Sequence, residues 1–394
     1  MRNKTFPHLG AIIKRILLIG FTIQMFLGIA WMCCNFMQVQ DFGKIYFSGK
    51  TLLPEGGYSS LYYYLFVILG SIPQLMYLLQ LSTAFMAGYY FLGMLVSRRY
   101  AVWGSLVLMT FPFAMQCHLA ILPYSFMSSL AFLLFAFLWR LSKEEKLLAA
   151  LGVVLCAILV PVLSGWPEAA GRKEAGHSLE AAMASRIAWP TLWNDYDRWP
   201  EELRDITRDV VWETTYYPGN MCLLYEAVES RTDLETAKEY YREMAEIAWT
   251  HHAPMVIRQM GWDVLGYVVT PVIFHLQLQG ESYDSYTSGN YEAMRGNSPV
   301  LTRYYVEYGS WWFVCQTVLT GILAMLHISR EGSFNWRALL LILVVSGIWV
   351  SVVTLRGAGM MDYKYTTAVN ALWLVWSILE LYKDKMKRKS VGNG

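Results

Sequence analysis

The sequence predicts an all-α, polytopic membrane protein of about eight transmembrane helices, with a helical external domain inserted among them. Three observations predict it. First, of 394 residues 55% are hydrophobic and only 16% charged, with a mean hydropathy of +0.32, too apolar for a soluble chain. Second, the stretches 16–34, 56–97, 100–139, 147–167, 308–329 and 338–355 contain no Asp, Glu, Lys or Arg. Each approaches or exceeds the roughly 20 residues that a spanning helix needs. Third, the basic residues are unevenly shared between the two sets of connections.

The region 1–163 is expected to hold five spans. The first, 16–34, follows Lys14 and Arg15, and Ala30, Trp31, Met32 and Cys33 form no small-residue cleavage pattern, so it reads as a retained signal anchor. Pro73 divides 56–97. The piece 59–72 is too short to cross a core of about 30 Å and reads as a surface or re-entrant helix, leaving 74–96 as the span. The run 100–139 carries Pro112, His118, Pro123 and Tyr124 near its middle and reads as two spans joined by a tight turn. The stretch 147–167 is the fifth.

Composition shifts after Ser164. Between 164 and 261 there are 17 acidic and 10 basic residues, net −7, against +9 for the rest of the chain. This stretch reads as the inserted external domain, of four or five short helices. Pro200 suits the first turn of a helix running through Leu203, Ile206, Val210 and Val211, and Thr232 with Glu235 forms a capping box. Tyr216, Tyr217, Pro218 and Gly219 mark a turn. The segment 262–308 contains Gly266, Pro271, His275, Gln277 and Gln279, which make it a poor lipid-facing span, so it is placed on or dipping into the outer leaflet. The region 309–394 then supplies three spans, the last over 365–379, and a basic tail.

This topology puts both termini on the cytoplasmic side, with 16 Lys and Arg there and 4 in the short external connections. The remaining 12 lie in the long loop, which the positive-inside rule does not count. A ten-span alternative would move Arg98, Arg99, Arg140, Lys143 and Lys146 outside and is disfavoured. The tail KDKMKRK is an orientation signal that also favours anionic lipid headgroups, and no nucleic-acid partner is implied. Six cysteines without CxxC spacing imply neither a zinc site nor a disulfide scaffold. A bridge from Cys117 to Cys33 or Cys34 is conceivable, but free thiols are favoured. HExxH, GxSxG, Walker A and GxGxxG signatures are missing from the chain. His251 and His252 are adjacent and point about 100° apart on a helix, so they read as surface or interface histidines.

Chemistry is expected on the external side, where the long segments gather. RGAGMMDYKY, 356–365, is a short charged connection that pins Arg356, Asp362 and Lys364 at the membrane boundary, a place where ionisable groups are usually functional. Arg356 and Lys364 could hold a phosphate and stabilise negative charge as it leaves. Asp41, just after the first span, could deprotonate or orient an acceptor hydroxyl. An ordinary loop carboxylate near Lys44 and cations snorkelling at helix ends are the plain alternatives.

The layout resembles the GT-C superfamily of integral membrane glycosyltransferases, in particular the protein mannosyltransferase and lipid A aminoarabinose transferase type. The resemblance rests on Asp41 in the first external loop with Tyr46 five residues on, on the run LMTFPFAMQCHLAILPYSFMSSLAFLLFAFL, and on DYKYTTAVNALWLVW at the last span. Asp362, Lys364 and Tyr365 match an E-x-R-Y pattern, with Lys where Arg is usual and without bidentate geometry toward phosphate. The resemblance implies transfer of a sugar from a polyprenyl-phosphate donor to a glycan, lipid or protein acceptor, with inversion. Asp41 would be the catalytic base. Arg356 and Lys364 would form the carrier-phosphate site, with Tyr365, Asp362, His118 and Tyr124 also contributing to substrate binding. Metal dependence stays open, since an acid beside a phosphate could either ligate a divalent cation or act without one. The short external loops fit a bacterial plasma membrane. Two other readings compete: a non-enzymatic transporter or flippase of lipid-linked glycans, which would need more mid-span polar groups than Gln24, Gln80, Gln316 and Asn370, and an accessory membrane subunit.

Overall fold

The computed structural model describes residues 6–37, 59–121, 123–142, 146–163, 178–216, 221–279, 299–331, 340, 343–344 and 370–382. Every regular element among them is helical. In chain order these are α1 (Phe6–Asn35), α2 (Ser60–Ile68), α3 (Pro73–Leu95), α4 (Arg98–Met109), α5 (Pro112–His118), α6 (Tyr124–Leu141) and α7 (Lys146–Leu163). Then follow α8 (Leu179–Ile187), α9 (Leu192–Asp195), α10 (Glu201–Thr207), α11 (Val211–Tyr216), α12 (Met221–Glu229), α13 (Leu234–Gln279) and α14 (Pro299–Glu331). The residues 370–382 form α15. The described residues divide into two compact units, one holding those up to 163 and those from 269 onward, the other holding 178–268.

In the first unit four helices are long and apolar enough to cross a membrane: His8–Asn35, Pro73–Leu95, Tyr124–Leu141 and Val300–Ser329. A fifth span results if Arg98–Met109 and Pro112–His118, bent by 80°, count as one. The expected span at 147–167 appears as the shorter apolar helix Leu147–Leu163. Most of the expected span at 338–355 lies outside the described residues. Large apolar side chains point outward, as lipid contact demands: Ile12, Ile19 and Phe26 on α1, and Leu147, Leu151, Leu155 and Ile158 on α7. The surface or re-entrant stretch expected at 59–72 is a helix of only nine residues. Ser59 caps it by accepting from the Tyr62 amide, and Gly70 and Ser71, both at positive φ, turn the chain before Pro73 opens α3.

The short helix α5 sits at the centre of this unit and touches α1, α3, α4, α6 and α14. All seven of its residues are buried. The run 100–139 therefore does not divide into two straight spans. Pro112 lacks an amide hydrogen, so the helix stops at Met109 and restarts at a new angle. Breaking a helix in an apolar interior strands carbonyls, and side chains from neighbouring helices supply the missing donors. Gln24 Nε2 donates to the Thr110 carbonyl at 2.8 Å, and the Tyr305 hydroxyl donates to the same oxygen. Gln80 Nε2 donates to the carbonyls of His118 and Ala120 at 2.8 and 2.9 Å, while its Oε1 accepts from the Tyr62 hydroxyl at 2.8 Å. The bulk around α5 is trimmed to fit, since a Cβ on Gly309 of α14 would overlap the Pro112 ring.

In the second unit the apolar residues face inward. Met221, Leu224, Tyr225 and Val228 form a stripe at i, i+3, i+4 and i+7 on α12, and they pack with Ala181, Ala184, Ala188, Leu203, Tyr241, Met244 and Ala248. The Tyr225 hydroxyl donates to the Ala181 carbonyl at 2.5 Å and lies 3.0 Å from Ser185 Oγ, tying α12 to α8. Three sequence expectations change here. The helix expected from Pro200 through Val211 is two, α10 and α11, parted by a turn at 208–210, and Thr207 turns its hydroxyl back onto the Leu203 carbonyl. The helix-capping role assigned to Thr232 belongs to Asp233, whose Oδ1 accepts from the amides of Glu235 and Thr236 at 3.0 and 3.1 Å. Thr232 instead closes α12 by donating to the Val228 carbonyl. The unit is also not built of short helices alone, because the long α13, kinked at His252, contributes 234–268 to it.

Candidate functional site

Asp41, Arg356, Asp362, Lys364 and Tyr365 lie outside the described residues. His118 and Tyr124 are described, at the end of α5 and the start of α6. His118 is only 2% exposed, and its Nδ1 is 2.8 Å from Ser125 Oγ. Tyr124 is half-buried. The imidazole thus spans the α5–α6 turn inside the bundle, where it fixes the geometry of the broken helix.

A second polar feature of the first unit was only partly visible in the sequence. Gln316, Thr320 and His327 recur at helical spacing on α14 and are buried, as are Asn370, Ser377 and Glu380 on α15. Ser377 donates to Gln316 Oε1, which joins the two series. Counting Gln316 and Asn370 alone missed Thr320, His327, Ser377 and Glu380, because a span's sequence does not show which polar positions face another helix.

A concavity among the described residues lies in the second unit. Its volume is about 140 Å³, and its lining includes Trp189, Trp193, Asn194, Met255, Arg258 and Gln259. One wall is the tight sequence of turns from Trp189 to Asp195, opened by Pro190. The other wall is the part of α13 just after its kink. At the kink His252 leaves helical geometry, with φ −136° and ψ 28°, and its Nε2 lies 2.9 Å from Asp195 Oδ1. Asp195 is 1% exposed and also accepts from Arg198 at 2.9 Å, while its Oδ2 is buried without a partner. The carboxylate thereby clamps the two walls together across 57 residues of sequence. His252 is an interface histidine within the unit, in keeping with its sequence reading, whereas His251 is exposed.

Beside this groove the indoles of Trp193 and Trp212 lie with ring centroids 3.8 Å apart, and they are 45% and 53% exposed. Trp199 is buried in the core at 3% exposure. Trp189 is half-buried and donates from Nε1 to the Thr214 carbonyl at 3.1 Å. Among the described residues no cluster of His, Cys, Asp and Glu is arranged to hold a metal ion. Comparison with protein-family models, with curated proteins and with solved structures gives no match to this chain.

Proposed function

We propose that this chain is a membrane glycosyltransferase that moves a sugar from a polyprenyl-phosphate carrier to an acceptor on the external face of a bacterial plasma membrane. One observation carries the reading furthest: a chain of spanning-type helices also holds a separately cored helical unit, whose groove joins aromatic walls to a guanidinium. Such a surface suits a sugar ring, with an apolar face for the indole and hydroxyls for the polar rim. In this reading Asp41 activates the acceptor, Arg356 and Lys364 hold the carrier phosphate, and Asp362 orients Lys364. Tyr365, His118 and Tyr124 shape the donor site. Purified protein supplied with polyprenyl-phosphate sugars should transfer them, and Asp41→Asn should abolish transfer while leaving the protein folded. Full transfer by that variant would remove Asp41 from the mechanism.

The polar seam of α14 and α15 favours a second reading, a transporter or flippase of lipid-linked glycans, since buried polar and ionisable groups in spans mark pathways as well as helix contacts. In proteoliposomes, Gln316→Leu would abolish flipping of a fluorescent lipid-linked sugar if the seam is a pathway. A transferase would keep its activity in that variant and lose only stability.

A further inference from the structure

We propose that the groove between 189–194 and 255–259 binds a saccharide carrying a negative charge, a uronate or a sugar phosphate. The inference deepens the transferase reading by naming the class of acceptor, and it rests on that reading only for the word acceptor. The binding claim stands on the groove itself. The second unit is acidic overall, yet among the described residues no carboxylate lines the groove and Arg258 is its one ionised lining group. Arg258 is exposed and makes no hydrogen bond or ion pair with the described residues. A planar guanidinium offers paired donors to a carboxylate or phosphate. The unit's net negative charge is screened beyond about 8 Å at physiological salt, so it does not prevent anion capture at that short range.

The occupant's second property comes from the aromatic wall. Trp193 lines the groove and continues outward into its contact with Trp212, leaving two large rings in solvent. Paired indoles left exposed form an apolar patch that marks a contact surface. A lipid surface would satisfy the rings, but the groove supplies one cation rather than the basic cluster that anionic headgroups call for. A sugar ring fits both halves. Its C–H face covers Trp193, its hydroxyls reach Asn194 and Gln259, and its acidic group reaches Arg258. The Asp195–His252 clamp holds the walls at this spacing, so Asp195 and His252 are positioning residues.

The test uses the full-length protein in nanodiscs, with methyl glucuronide, glucose 6-phosphate and methyl glucoside titrated separately and binding read by saturation-transfer NMR. At least one of the two acidic sugars should bind about tenfold or more tightly than the neutral glycoside, and which one does so identifies the carboxylate or phosphate source. Arg258→Gln should erase that preference while Arg258→Lys keeps part of it, and Trp193→Ala should weaken all three ligands together. Equal binding of acidic and neutral sugars, or an acidic preference that survives Arg258→Gln, would overturn the proposal, as would no binding at all. Anion-selective binding without any sugar transfer would sink the transferase reading and leave the groove standing. Transfer without anion selectivity would do the reverse.

Discussion

In both units every regular element among the described residues is helical and the interior is mainly apolar, yet the two differ in what they expose. In the second, apolar stripes such as Met221–Leu224–Val228 turn inward and charged side chains cover the outside. In the first, large apolar residues on α1 and α7 face outward as well, and the mainly apolar interior also holds glutamines, serines and threonines. The difference follows from the solvent. Water rewards hiding apolar surface, whereas lipid is indifferent to it and instead makes every unpaired backbone group costly. Hence the first unit spends its few polar side chains on the broken helix at α5, while the second spends Asp195 on a kink.

The sharpest way to break this comparison is at Gln80. Gln80→Leu preserves size but leaves the His118 and Ala120 carbonyls and the Tyr62 hydroxyl without their donor and acceptor, which should lower stability by about 3 kcal/mol or more. Unfolding in mixed detergent micelles measures it, and an unchanged midpoint would show that α5 does not depend on borrowed donors. Gly309→Ala forces a methyl against Pro112 and should cost about 1–3 kcal/mol by overpacking in the same assay.

In the second unit, Asp195→Ala removes the acceptor shared by His252 and Arg198 and should destabilise by about 2 kcal/mol. Its more informative readout is amide hydrogen exchange, which should quicken over 252–259 while that of α12 changes little. Smallest is a pH effect at Tyr240, whose hydroxyl donates to Glu202 at 2.8 Å and is pushed up to about 12 by burial and then by that carboxylate. The unfolded tyrosine ionises near 10. The folded state therefore holds its proton longer, so this stabilising contribution is complete below about pH 10 and is lost as pH rises toward 12. Tyr240→Phe should flatten the alkaline decline measured by circular dichroism.

Much of the helical framework was legible in the sequence because charge-free length and i, i+3, i+4 periodicity are local properties. The helices at 6–35 and 73–95 lie where the apolar stretches and Pro73 put them. Local pattern failed where two residues compete for one role. Thr232 and Asp233 both suit a cap, and it is the Asp233 carboxylate that accepts from the amides, while the Thr232 hydroxyl turns back to Val228. The break at Thr110 was marked by Pro112, but its rescue by Gln24 and Tyr305 joins positions 86 and 195 residues away.

The candidate sites divide in the same way. Residue type and position near the membrane boundary single out Asp41, Arg356 and Lys364, since charge beside a span is visible in one dimension. The groove carried no such signal, because Trp193 and Arg258 are ordinary residues until a turn and a kinked helix bring them together. By itself, then, the sequence determined that the chain is helical and apolar enough to enter a membrane, because hydropathy is summed along the chain. Only the tertiary structure decided which polar groups rescue the broken helix and which aromatics stay exposed, because both depend on partners that hydrogen bonding and packing select from distant segments.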